Sequence, residues 1–282
     1  MIEIGIKCSL DDFDAKKHGD GVDFFEVIQE VQYAQRFAGV SDEIRRMGRE
    51  CFVHLPSEFS GKEGRTLLNA ASANSLIRDV SREIIERTVR ETGASFPVGW
   101  IVHAPTKQNF ATKRGLFDRG TDEDLEAGLD WVKRLGGNIL VENVPAAICL
   151  DSRVYMTEPC SVEQLTASNV PLVLDTAHLY TAKSDPEEFI DTVRALLGNV
   201  LYLHVATLRE NVPHDVHGSV FEATEPEYPS MKLIDEVLKM VLEISRDVSR
   251  TFRLVCEPKG NSGTHLRNYQ MLRDRIERLK RT

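Results

Sequence analysis

The sequence predicts an α/β protein, a single-domain (β/α)8 TIM barrel that takes up residues 1–282. Short apolar runs alternate with amphipathic segments along the whole chain, and eight such units make up a barrel of this type. The length of 282 residues suits one barrel, which typically needs about 250 residues. The alternative is an open doubly wound sheet, which usually has a glycine-rich turn after its first strand. The segment IKCSLDDFD at 6–14 has no such turn.

Eight short apolar runs are predicted to be the barrel strands. Most of them are continuous rather than alternating, as expected for parallel strands that are buried on both faces. In chain order they are residues 2–8, 23–28, 51–55, 98–104, 138–144, 171–177, 200–206 and 252–258.

Amphipathic segments between the later strands are predicted to be helices. In the first of them Ile77, Val80 and Ile84 recur at spacings of three and four residues, with charged residues on the other face. The predicted helices cover about 72–92, 121–135, 185–197, 231–248 and 265–279. Pro186 stands at a favourable first helical position.

Composition and charge limit the classes of function and the cellular location. The chain has 35 basic and 44 acidic residues, a net charge of −9, which argues against a simple nucleic-acid binder. Its five cysteines form no C-x-x-C pair, which is typical of reduced thiols in a cytosolic protein. The N-terminus does not resemble a signal peptide, and no run of 18 apolar residues occurs. We therefore expect a cytoplasmic protein with no membrane partner.

Histidine and acidic residues follow the predicted strands, at the barrel end where active sites of this fold lie. A lone histidine in an apolar run is usually a core residue, and a lone carboxylate at a strand end is usually a helix cap. Either explanation could account for a single residue. They cannot account for nine such residues after six consecutive strands, because charged groups are almost never buried without partners. Imidazole and carboxylate ligands together suit zinc, manganese or iron. The nine predicted metal ligands are His54, His103, Glu142, Asp175, His178, His204, Asp215, His217 and Glu257.

The order of these nine residues resembles the endonuclease IV family of apurinic/apyrimidinic endonucleases (AP endonuclease family 2), within the xylose-isomerase-like barrels. The sharpest part of the resemblance is Asp-Thr-x-His at 175–178 followed by Asp-x-His at 215–217. The resemblance covers essentially the whole chain. It implies up to three zinc ions, with manganese as another possible metal. One ion would bind His54, His103 and Glu142, a second Glu142, Asp175, His204 and Glu257, and a third His178, Asp215 and His217.

The resemblance implies a phosphodiesterase that incises damaged double-stranded DNA 5′ to abasic sites by means of a metal-bound hydroxide, with Glu142 and Glu257 as catalytic residues. Sugar isomerases and epimerases of the same superfamily are the alternative. They keep a smaller ligand set around one manganese ion, matching Glu142, Asp175, His204 and Glu257. A barrel that binds a metal or a ligand without turnover is a third hypothesis. The residues beyond the smaller set, His54, His103 and the pair Asp215 and His217, favour the nuclease. We expect the protein to be a monomer.

Basic residues in the loops after the third, fourth and seventh strands are the candidates for contacts with DNA phosphates. Phe59 and Phe110 lie among them and could wedge a base step. The alternative is that these segments are ordinary solvated loops. The candidates for substrate binding are Lys62, Arg65, Lys107, Lys113, Arg114 and Arg209, with Arg119 in the same fourth-strand loop.

Overall fold

Eight parallel strands close into a barrel, as the sequence predicts. The computed structural model describes residues 1–29, 34–61, 64–95, 97–112, 115–150, 153–209, 217–223, 225–247 and 250–281. Within these ranges the strands are β1 (Ile2–Ser9), β2 (Phe24–Ile28), β3 (Glu50–His54), β4 (Glu58–Gly61), β5 (Gly64–Leu67), β6 (Gly99–His103), β7 (Gln108–Ala111), β8 (Gly115–Arg119), β9 (Ile139–Glu142), β10 (Ala147–Leu150), β11 (Arg153–Met156), β12 (Leu172–Asp175), β13 (Val200–Val205) and β14 (Phe252–Cys256). The barrel order is β1-β14-β13-β12-β9-β6-β3-β2.

The described helices surround the barrel, and the five that were predicted begin and end within about three residues of the predicted positions. Four more were not predicted, and one of them begins at Thr176, inside the predicted strand 171–177. The described helices are α1 (Phe13–Lys16), α2 (Ala34–Arg46), α3 (Ser75–Gly93), α4 (Asp122–Arg134), α5 (Val162–Ser168), α6 (Thr176–Ala182), α7 (Pro186–Leu196), α8 (Met231–Asp247) and α9 (Ser262–Leu279). Asp185 caps α7 through the backbone N–H groups of Glu187 and Glu188, and Pro186 is its first residue. Within the described ranges, no helix is long and apolar enough to cross a bilayer.

The lower half of the barrel interior is filled by aromatic rings. Phe24, Phe52 and Tyr202 meet edge to face, with ring centroids 5.4–5.6 Å apart. Each such pair contributes about 0.5–1.5 kcal/mol beyond the burial of its area. Gly5 on β1 makes room for this layer, because a Cβ at that position would lie 2.3 Å from Cε2 of Phe24. The rings close the barrel from below and leave the polar residues on the level above them.

The segments after β3 and β6 form a four-stranded antiparallel sheet, in the order β4-β5-β7-β8, and β10 pairs with β11 in a separate hairpin. This differs from the loops that the sequence suggested. Phe110 is completely buried and stacks on Tyr155 of the hairpin, with centroids 4.3 Å apart. The prediction that Phe110 is free to wedge a base step is therefore wrong, since its ring joins the two added sheets.

Candidate metal centre

The carboxyl ends of the barrel strands bring the predicted ligands together. The strand register pairs His103 with Glu142 and Asp175 with His204, so these side chains start from one level of the barrel. Eight of the nine predicted ligands belong to the described residues, while Asp215 lies outside them. His54, His103, Glu142 and Asp175 end β3, β6, β9 and β12, His178 belongs to α6, His204 to β13, and Glu257 follows β14.

The carboxylate of Glu142 lies at the middle of the cluster. Oε2 is 2.9 Å from Nε2 of His54 and 3.5 Å from Nε2 of His103. Oε1 is 3.1 Å from Nδ1 of His204 and 3.5 Å from Nδ1 of His178. Burial would raise the pKa of Glu142, but the neighbouring imidazoles His204 and His103 hold it well below its ordinary value. Glu142 is thus a buried anion surrounded by nitrogen ligands.

Three groups of side chains in the described part of the chain have ligand atoms close enough to share one ion. In each group the atoms lie within 4.8 Å of one another. The groups are His54–His103–Glu142, Glu142–Asp175–His204 and Asp175–His178–His217. Their members overlap with the three sets implied by the resemblance. Glu257 joins none of the groups, Asp175 takes part in the third, and Asp215 lies outside the described residues.

Hydrogen bonds to the main chain fix the orientation of three imidazoles. Nδ1 of His54, His178 and His217 lies 2.9, 2.9 and 3.2 Å from the carbonyl oxygens of Leu55, Asn143 and Glu257. A carbonyl oxygen only accepts, so Nδ1 carries the proton and Nε2 is left with its lone pair. Such a second partner on the far nitrogen is usual for metal-binding histidines.

Two further observations fit a cation at this place. With its proton on Nδ1, neutral His54 presents a lone pair to Glu142 Oε2 only 2.9 Å away, which requires a proton or a metal ion between the two atoms. Oδ2 of Asp175 is buried without a hydrogen-bond partner, whereas Oδ1 accepts the N–H of His178. Burial raises the pKa of Asp175. A divalent cation would supply the missing partner to both carboxylates, so the residues fit a metal centre.

Glu26, which the sequence analysis did not identify, contacts the ring nitrogen of His204 that does not contact Glu142. Glu26 on β2 is fully buried, and its Oε2 accepts hydrogen bonds from Nε2 of His204 at 2.8 Å and from the hydroxyl of Tyr202 at 2.6 Å. Burial would raise the pKa of Glu26, but the charges of His204 and Lys7 lower it. Burial would likewise lower the pKa of His204, but Glu26 and Glu142 raise it well above 6.5. The arrangement directs Nδ1 of His204 to the centre, where a metal ion would replace a proton.

Lys7 on β1 is the second residue that sequence reasoning missed. Its buried ammonium lies 2.8 Å from Oε1 and 2.9 Å from Oε2 of Glu257, and 3.2 Å from Oε1 of Glu26. Burial would lower the pKa of Lys7, but these carboxylates raise it. For Glu257 burial would raise the pKa, but Lys7 and His204 lower it to about 2. The sequence signal for Lys7 and Glu26 is weak, because each lies in a short apolar run that holds a second charged residue, Glu3 in 2–8 and Asp23 in 23–28.

The described basic residues that were expected to contact phosphates are mostly held by carboxylates. Arg65 binds Glu58 through Nε at 3.0 Å and Nη2 at 2.7 Å. Lys107 pairs with Asp122 at 2.7 Å, and Arg119 with Glu158 at 2.9 Å. Arg209 is exposed at the end of a described segment, while Lys62, Lys113 and Arg114 lie outside the described residues.

A cavity of about 1200 Å³ opens over the centre. Its wall includes Lys7, His54, His103, Glu142 and Glu257. Small-molecule sites usually measure about 300–1,000 Å³, so the cavity has room for a substrate together with solvent. The carboxylates and imidazoles are thus open to a ligand from one side and buried on the other.

Comparison with known proteins supports the fold and leaves the reaction open. No protein-family model matches the sequence, and no curated protein matches it. A D-tagatose 3-epimerase-like protein is similar in structure with a TM-score of 0.67 and 17% identity, over 99% of this chain and 98% of the other. For a putative xylose isomerase from Rhodospirillum rubrum the TM-score is 0.63 and the sequence identity 12%, over 100% of this chain and 99% of the other. For endonuclease IV from Thermus thermophilus the TM-score is 0.57 and the sequence identity 16%, over 96% of this chain and 99% of the other. These similarities show that the chain shares the barrel fold of both groups.

Proposed function

We propose that the chain is a divalent-metal-dependent enzyme of the xylose isomerase-like superfamily. Its proposed reaction is the transfer of a proton at a carbon beside a carbonyl in a small polyhydroxylated substrate, as in sugar isomerases and epimerases. One observation carries the proposal. The carboxylates of Glu142 and Glu257 approach the same atom, Nδ1 of His204, at 3.1 and 3.2 Å, and both line the cavity. Two carboxylates that converge on one open site are suited to act as a base and an acid.

In this mechanism Glu142, Asp175 and His204 would hold the metal ion. A bound divalent ion supplies Lewis-acid polarisation of the substrate's carbonyl and hydroxyl oxygens, which makes the neighbouring C–H more acidic. One carboxylate accepts the proton from that carbon. For isomerisation the same carboxylate returns this proton to the adjacent carbon, and for epimerisation the other carboxylate, after taking a proton from solvent, donates it to the opposite face. Lys7 favours the ionised form of Glu257, so this residue is available as the base that accepts the first proton.

The rim of the cavity supports a small substrate more than a DNA duplex. Arg65 and Lys107, two of the residues expected to contact phosphates, have carboxylate partners, and Phe110 is buried. A protein that neutralises several phosphates needs cations without such partners.

The test is hydrogen exchange with solvent. The chain would be incubated with Mn²⁺ and a panel of ketohexoses and aldopentoses in D₂O, and the loss of C–H signals next to the carbonyl followed by proton NMR. We expect exchange with at least one sugar and its loss in Glu142→Gln and Glu257→Gln. Glu50→Gln, a change on the opposite end of the barrel, is the matched control and should keep the exchange. No exchange with any sugar in metal-loaded protein would contradict the proposal.

A second candidate is the phosphodiesterase with a trinuclear zinc centre, which would incise DNA 5′ to abasic sites. Its specific support is the pair of ligand groups that a single-metal isomerase does not need, His54–His103 with Glu142 and His178–His217 with Asp175. An abasic-site duplex incubated with zinc-loaded protein, with and without chelator, separates the two candidates. Chelator-sensitive nicking together with about three zinc ions per chain would favour the phosphodiesterase.

A further inference from the structure

The side chain of Asn143 replaces a main-chain group in the hydrogen bonds between two barrel strands. Asn143 directly follows β9, and its N–H donates to the carbonyl of Val173 on β12 at 3.3 Å. In a regular parallel ladder, the next bond would run from the N–H of Asp175 to the carbonyl of Asn143. That N–H donates instead to Oδ1 of the Asn143 side chain at 2.7 Å, and Nδ2 donates to the carbonyl of Asp175 at 3.1 Å. The main-chain carbonyl of Asn143 is therefore left outside the ladder.

This carbonyl accepts its hydrogen bond from an imidazole of the centre. Nδ1 of His178 lies 2.9 Å from the oxygen of Asn143. His178 is also held at its main chain, because its N–H donates to Oδ1 of Asp175 at 2.7 Å. All three residues are at most 8% exposed, so little water competes for these bonds. An imidazole that donates through Nδ1 keeps its lone pair on Nε2, and His178 belongs to the wall of the cavity.

We infer that Asn143 is a positioning residue that sets the tautomer of His178. Its side chain takes over the bond to Asp175, which leaves its main-chain carbonyl to hold the Nδ1 proton of His178. The lone pair of Nε2 is then available in the cavity to accept a hydrogen bond from a substrate hydroxyl. With its proton on Nε2, the same ring could only donate there. The inference rests on the proposed function, because it adds an acceptor of fixed orientation to the site for a polyhydroxylated substrate.

The experiment is ¹⁵N NMR of chelator-treated protein labelled at its histidines, at pH 8, where an ordinary imidazole is neutral. A ring nitrogen that carries a proton differs in chemical shift from one with a lone pair, so the spectrum shows which tautomer is present. The signals of His178 are those that disappear in His178→Gln. In the wild-type chain we expect His178 to carry its proton on Nδ1 alone.

Asn143→Ala removes the carboxamide, so the N–H of Asp175 can return to the carbonyl at position 143 and continue the regular ladder. His178 then loses its acceptor. We expect its two ring ¹⁵N signals to shift towards each other, because both tautomers become populated. Asn143→Asp keeps an acceptor oxygen for the N–H of Asp175 and should keep the wild-type tautomer.

Asn138→Ala is the matched control, since Nδ2 of Asn138 likewise donates to a main-chain carbonyl beside the neighbouring strand, that of Val98 at 2.8 Å, at the opposite end of the barrel. It should leave the tautomer of His178 unchanged. The inference is overturned if Asn143→Ala keeps the wild-type tautomer, or if Asn138→Ala changes it as much. Should Asn143→Ala fail to fold, a wild-type proton on Nε2 of His178 would still overturn it. Because the tautomer is read without metal or substrate, this result is independent of whether the chain exchanges protons of sugars.

Discussion

Glu26→Gln tests a residue that supports the candidate ligand His204 without being a predicted metal ligand itself. The carboxylate accepts from the Tyr202 hydroxyl at 2.6 Å and from His204 Nε2 at 2.8 Å, and it pairs with Lys7 at 3.2 Å. Glutamine keeps one acceptor oxygen, but its NH₂ group replaces the other oxygen and would face the cation Lys7. Hydrogen bonds to charged groups contribute about 1.5–3 kcal/mol each, and removing one partner of a buried ion pair costs about 3–5 kcal/mol. We expect the free energy of unfolding to fall by about 3–5 kcal/mol.

The assay is urea unfolding of the metal-free protein, with Glu50→Gln as control. Glu50 pairs with Arg253 at 2.8 Å, but its side chain is 45% exposed, so this change should cost less than about 1 kcal/mol. The pKa of Glu26 is lower in the folded chain than its ordinary 4.5, so its stabilisation is complete above pH 4.5 and is lost as the pH falls below that value. The difference between wild type and Glu26→Gln should therefore be largest between about pH 5 and 6.5 and shrink below pH 4.5. It should also shrink above pH 6.5, because Glu26 raises the pKa of His204 and this contribution is lost as the unfolded chain's histidine loses its proton. A loss under 1 kcal/mol at pH 7 would refute the reasoning.

Three further predictions follow from the packing and the centre. Gly5→Ala should lower the free energy of unfolding by about 1–3 kcal/mol, measured in urea, because the new Cβ meets the ring of Phe24 at 2.3 Å. Phe110→Ala should cost about 3–5 kcal/mol, and an unchanged stability would show that the ring is not part of the core. Zn²⁺ or Mn²⁺ at about 100 times its dissociation constant should add about 2.7 kcal/mol to the stability of chelator-treated protein, and no shift of the melting temperature would count against a metal centre.

The barrel and the rim positions of the ligands could be predicted from the sequence. Parallel strands buried on both faces leave continuous apolar runs, and each run locates its carboxyl end within a residue or two. A histidine or carboxylate at that end, such as His103 or Asp175, is then placed on the rim by the fold itself. Local sequence therefore carries enough information for these residues.

The residues behind the ligands could not be predicted in the same way. Lys7 and Glu26 lie on the first two strands, and their partners His204 and Glu257 lie about 180 to 250 positions further along the chain. Pairing over this distance follows from the closure of the barrel, which no spacing in the sequence reveals. Phe110 was misplaced for a related reason, since its stacking partner Tyr155 belongs to a different added strand pair.

The central claim is that Glu142, Asp175 and His204 form a binding site for a divalent ion. Crystals of the chain grown with Mn²⁺ would test it most directly, by anomalous diffraction at the manganese edge. The account predicts an anomalous peak between the carboxylates of Glu142 and Asp175 and Nδ1 of His204. The absence of a peak there in manganese-saturated crystals, with Glu142 still bonded to His204 and His54, would contradict it.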